Sequence, residues 1–113
     1  MLYFDFETNS QAYKLRLTTK TIMELEKKIG CNPLMIFGNG TRIPTINEMV
    51  AILWASLQAN HHGITFDKAT SIFENYLEEG HTPTEFIPVI VEIYKVSGII
   101  KIDETGEEAE KNS

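Results

Sequence analysis

Apolar and polar residues alternate with period two at the start of the chain. Leu2, Phe4 and Phe6 share one side, and Tyr3, Asp5 and Glu7 share the other. After a polar Thr8-Asn9-Ser10-Gln11 stretch, Tyr13, Leu15 and Leu17 alternate with Lys14 and Arg16. This is the pattern of two half-buried strands joined by a turn. A hairpin that sets Glu7 opposite Ala12 also sets Phe6 opposite Tyr13, Phe4 opposite Leu15, Leu2 opposite Leu17 and Asp5 opposite Lys14. Apolar and opposite-charge cross-strand pairs both favour that register, and a one-residue slip would set apolar side chains against charges.

The period then changes to that of helices. Thr18 and Thr19 are candidate N-caps for a helix through Ile22, Leu25 and Ile29, with Lys27 and Lys28 in its last turn and Gly30 as its stop. Asn32-Pro33 marks a turn, Leu34-Met35-Ile36-Phe37 is a short apolar run, and Gly38-Asn39-Gly40 breaks the chain. Pro44 and Thr45 open a second helix, with Glu48 completing a capping box. Its stripe is Ile46, Met49, Val50, Leu53, Trp54 and Leu57, the cleanest amphipathic pattern present, and Trp54 is its expected central packing residue. The helix ends at Asn60-His61-His62-Gly63. Thr65 caps a third helix with the stripe Phe66, Ala69, Ile72, Phe73, Tyr76 and Leu77, stopped by Gly80. Thr82-Pro83-Thr84-Glu85 opens a fourth, with Phe86, Ile87, Ile90, Ile93 and Tyr94 inward and Gly98 at its end. Pro88 is harmless there if Thr84 is the N-cap, and a kink if the helix begins at Pro83. Ile99 to Ile102 reads as a short strand. The fold class predicted is α+β: an N-terminal β-hairpin followed by about four amphipathic helices, helix-dominated, in a single domain over residues 1–102.

Composition sharpens the picture. The chain has 113 residues and a net charge of −6, a length that suits one domain able to bury a core without staples. The first 102 residues hold nine basic and eleven acidic side chains, while residues 103–113 hold five acids and one lysine. The folded part is therefore near neutral, and an acidic flexible tail is expected beyond it. Without a basic surface, neither nucleic acid nor an anionic membrane face is an expected partner. The acidic start carries no basic leader, no apolar run approaches the ~20 residues of a membrane span, and the single cysteine excludes an internal disulfide. A cytoplasmic protein is expected.

No catalytic constellation emerges. Cys31 follows a helix C-terminus, where the dipole disfavours a thiolate, and reads as a small residue packing back on that helix. His61, His62 and His81 lack metal-ligand spacing, and His61 and His62 suit the negative end of a helix. Glu78-Glu79 reads as a solvated helix end, and Glu24 with Lys28 as a surface pair. Gly38-Asn39-Gly40 lacks the lysine of a phosphate loop. No catalytic residue, metal or cofactor is expected. The Leu34–Phe37 run either closes the core beneath the loop or forms a docking surface. On the second reading, with the loop that follows, the candidate partner-binding residues are Leu34, Met35, Phe37 and Arg42. The hairpin edges are a further candidate contact.

The order of these segments carries one more reading. The stretch from Thr21 to Leu34, with Glu26-Lys27-Lys28-Ile29-Gly30-Cys31-Asn32-Pro33-Leu34, is followed by Ala51-Ile52-Leu53-Trp54-Ala55-Ser56-Leu57. Thr65-Phe66-Asp67-Lys68-Ala69, Tyr76-Leu77-Glu78-Glu79-Gly80 and a close at Ser97-Gly98 complete it. Over roughly residues 1–102 this resembles the tail assembly chaperones of long non-contractile-tailed phages and their prophages in Gram-positive bacteria. The resemblance implies a non-enzymatic protein that binds the tape-measure protein, helps recruit tail-tube subunits, self-associates as a homo-oligomer, and leaves before the virion is finished. It also implies a longer form made by ribosomal frameshifting: Glu110-Lys111-Asn112 can be encoded with a slippery A AAA AAC run. Two other readings compete. One is an acidic regulator or nucleic-acid mimic acting on a host protein. The other is a small enzyme using Cys31 or the histidines.

Overall fold

The computed structural model describes residues 2–101. The expected tail, residues 103–113, lies outside them. Strands β1 (Phe4–Thr8) and β2 (Gln11–Leu15) form an antiparallel hairpin. Its register pairs Phe4 with Leu15, Asp5 with Lys14, Phe6 with Tyr13 and Glu7 with Ala12, as the alternation predicts. Asn9 (φ 56°) and Ser10 (φ 61°) form the two-residue loop. Two positive φ values make it a type I′ turn, whose twist matches that of the strands. The ladder stops at Phe4, so Leu2 does not pair with Leu17. Leu2 is exposed, and its carbonyl accepts from the Arg16 guanidinium at 3.0 Å.

Four α-helices follow: α1 (Thr19–Ile29), α2 (Ile46–Leu57), α3 (Phe66–Glu78) and α4 (Ile87–Val96). The first three start where threonine side chains accept otherwise unpaired backbone N–H groups. Thr18 caps α1 and pairs reciprocally with Thr21, Thr45 does the same with Glu48 on α2, and Thr65 caps α3. Gly30, in the left-handed region, ends α1.

Helix α2 is the axis of the fold. Met49 to Leu53 and Ala55 to Leu57 are all buried, because α1, α3, α4 and β2 pack around it. The amphipathic reading is corrected on two residues. Trp54 is only half-buried; its ring meets the edge of Phe66 at 6.0 Å. Ile46, in the first turn, is exposed. The Ser56 carbonyl, left over in the last turn of α2, accepts from the Arg16 N–H at 2.9 Å. Within the same core, aromatic rings unite β1, α3 and the approach to α4. Phe6, Phe73 and Tyr76 surround Phe86, with the Phe73 and Phe86 rings edge to face at 5.2 Å.

The fourth helix differs from expectation in its start. Thr82 and Glu85 do form a capping box, but over a 3-10 turn, Pro83–Phe86. Helix α4 begins only at Ile87, which places Pro88 in a first turn where its missing N–H leaves no bond unmade. Residues 99–101 of the expected last strand are not extended into a ladder, and Ile102 lies outside the described residues. Ile99 and Ile100 instead pack against the core as half-buried side chains.

Candidate functional site

The segment between α1 and α2 builds the candidate site. The Asn32 side chain accepts from the Leu34 N–H at 2.9 Å and starts a 3-10 turn, Pro33–Gly40. Pro33 and Ile36 are buried in it, and the buried Tyr94 hydroxyl of α4 donates to the Pro33 carbonyl at 2.9 Å. Burial pushes the Tyr94 phenol well above its ordinary pKa. One side of the turn is thus fastened to the core, and the other is not. Leu34 is 45% and Met35 57% exposed, and Phe37 is half-buried. The backbone then reverses hand through Gly38 (φ 52°), Asn39 (φ 59°) and Gly40 (φ 86°).

Arg42 closes this reversal. Its N–H donates to the Phe37 carbonyl at 3.1 Å, and its guanidinium donates to the Ile36 carbonyl at 2.8 Å. The same guanidinium grips Glu48 of α2 through two parallel bonds of 2.9 Å. Glu48 is buried, and it also accepts from the Thr45 N–H at 2.9 Å. The Arg42 bonds hold its carboxyl below the ordinary range against the opposing effect of burial. Arg42 therefore acts as the clamp that fixes the turn on α2, while its side chain stays 41% exposed.

Of the candidate partner-binding residues, the structure leaves Leu34 and Met35 open, half-covers Phe37 and engages Arg42. It adds Ile43, 67% exposed, and Ile46, 48% exposed, just beyond the clamp. Ile43 precedes Pro44 and so falls before the cap, and Ile46 is the first residue of α2. The helical pattern places Ile46 on the inward stripe, and its position in the first turn of α2 leaves it outside; Ile43 lies in no periodic segment that would single it out.

Other candidate residues take structural places. Cys31 is exposed rather than packed against α1, because the left-handed Gly30 turns the chain outward there. Glu79 is not a free helix end: it accepts from the Thr8 hydroxyl at 2.9 Å and from the Asn9 N–H, joining α3 to the hairpin turn. Lys28 does not pair with Glu24; its ammonium lies over the Phe66 ring at 4.3 Å and the Trp54 ring at 5.6 Å. His61 Nε2 accepts from the Lys14 N–H at 2.9 Å, so the proton of the neutral ring sits on Nδ1. Burial, with a smaller contribution from Lys14, lowers its pKa. His61 thus takes the Lys14 N–H of β2, and the Ser56 carbonyl takes that of Arg16 just beyond the strand. Among the described residues there is no group of three or more His, Cys, Asp or Glu side chains that could hold a metal ion. No helix among them is long and apolar enough to cross a membrane.

The fold and this clamp define a small helix-dominated α+β domain that presents aliphatic side chains on a fixed turn. The chain belongs to the family of unknown function DUF6096, whose pattern it matches over residues 6–111. No curated protein and no solved structure matches it.

Proposed function

We propose that this protein is a tail assembly chaperone of a long-tailed phage or prophage. In this reading it binds the tape-measure protein, helps bring tail-tube subunits to it, and works as a homo-oligomer in the host cytoplasm without catalysing a reaction. The observation that carries the reading is a coincidence of position. One of the two most specific parts of the resemblance, Glu26 to Leu34, runs directly into the turn where Leu34 and Met35 stand exposed; the other, Leu53-Trp54-Ala55, lies in α2. A tape-measure protein is long and helical, and its apolar faces need cover until the tube closes round it. Many copies of a small domain on one long chain hold it by avidity even where each contact is weak.

Two experiments test this. The first is to read the gene beyond the Ser113 codon. A slippery run at Lys111-Asn112, an overlapping short frame and then a very long gene for a helical protein support the reading; Lys111 encoded as AAG removes the frameshift. The second is co-expression with that long protein. Failure of the chain to bind it or keep it soluble refutes the chaperone role.

A further inference from the structure

We propose that Leu34, Met35, Ile43 and Ile46 form a docking surface for an amphipathic helix that presents uncharged aliphatic side chains. The proposal deepens the chaperone reading and rests on it for the identity of the protein that supplies the helix. Four of the six large apolar residues exposed among the described residues lie in these 13 positions. They belong to two short segments, 34–37 and 42–48, which Arg42 holds together through the Ile36 carbonyl and Glu48.

Charge specifies the partner. From Cys31 to Asn47 the only charged side chain is Arg42, and its charge is met by the buried Glu48. An incoming cation would find no counter-ion within this segment, and an incoming carboxylate would find only the Arg42 guanidinium, partly exposed and already shared with Glu48. Area specifies the kind of partner. The four side chains together expose on the order of 400 Å², against the roughly 800 Å² each partner contributes to a stable interface between folded proteins. That is too small for a durable dimer through this face. It suits a single helix that lays down a few anchors at i, i+3, i+4 and i+7.

The test uses the full chain with two probes: overlapping peptides from the long helical protein encoded downstream, and a designed amphipathic peptide with a leucine face. The double variant Met35→Ser/Ile43→Ser keeps its cap and clamp, and its thermal midpoint reports that the fold is intact. A second variant, Leu34→Ser, covers the case in which the double variant fails to fold. Binding of either probe by the wild-type chain, weakened at least about tenfold in the variants, supports the surface. Binding unchanged in the variants overturns it, and so does the absence of binding to both probes. Binding of the leucine peptide alone supports the surface and counts against the chaperone reading. A dimer in sedimentation that the same variants abolish assigns the face to a second copy and overturns the helix proposal.

Discussion

Replacing Gly38 by alanine tests the claim that the turn is held rigidly. Gly38 has φ 52°, and a Cβ built there would lie 2.8 Å from the Cβ of Arg42. Two costs follow. The left-handed conformation costs an L-residue about 1 kcal/mol relative to glycine. The steric overlap costs about a further 1–2 kcal/mol, as overpacking does where neighbours cannot yield. Arg42 cannot yield cheaply, since its N–H, its guanidinium and Glu48 fix it on both sides. Gly40 supplies the control. Its φ is 86°, but nothing lies within 4 Å of the Cβ it would carry. Gly40→Ala should therefore cost only the backbone share, about 1 kcal/mol. Urea unfolding should give about 2–3 kcal/mol for Gly38→Ala, with a midpoint in thermal scans lower by about 10 °C. Equal losses in the two variants would refute the close approach to Arg42. A loss below about 0.5 kcal/mol at Gly38 would refute the fixed turn altogether.

Three other perturbations probe the rest of the frame. Ser10→Gly should stabilise the protein by up to about 1 kcal/mol in the same unfolding assay, because Ser10 holds a positive φ that glycine adopts freely in a type I′ turn. Tyr94→Phe should cost about 1 kcal/mol by removing the bond from its buried hydroxyl to the Pro33 carbonyl, and a neutral result would show that this bond does not fasten the turn. His61 accepts from Lys14 only when neutral, and its folded pKa lies below the ordinary 6.5, so the unfolded chain binds the proton more readily. The stability that wild type gains over His61→Ala should thus be constant above about pH 6.5 and shrink as pH falls through the lowered folded value. Denaturation of both proteins across that range measures the difference, and a gap that does not change with pH would show that the bond is not made.

What could be read from the chain was what is decided locally. The hairpin register follows from alternation around a two-residue polar turn, and the caps at Thr18, Thr45, Thr65 and Thr82 follow from residues three or four positions apart. What could not be read was decided by distant neighbours. Glu79 looked like a free helix end until Thr8 and Asn9 met it, and His61 looked like a helix terminus until Lys14 did. Helix α2 was misread as one-sided although its sequence held the signal. Met49 to Asn60 contains no charged residue, and a helix without a charged face has no side to give to water. In the candidate site, the exposure of Leu34 and Met35 was legible as an apolar run next to a turn. The clamp made by Arg42 was not, because it depends on Glu48, buried in the first turn of α2.

The clamp links stability to recognition. A mobile apolar turn would lose backbone freedom on meeting a partner, at a cost of about 1–2 kcal/mol for each residue ordered. Here that ordering is completed on folding, by Tyr94 on one side of the turn and by Arg42 with Glu48 on the other. The same Glu48 carboxylate accepts from the Thr45 N–H that begins α2. The turn therefore stays in place only while the most buried helix of the domain keeps its first turn. Exposed aliphatic side chains on a backbone fixed in this way meet a helix with little further ordering of the chain, so a surface of modest area can still bind. The clamp also pairs the one charge of the segment with Glu48, although the Arg42 side chain itself stays partly exposed.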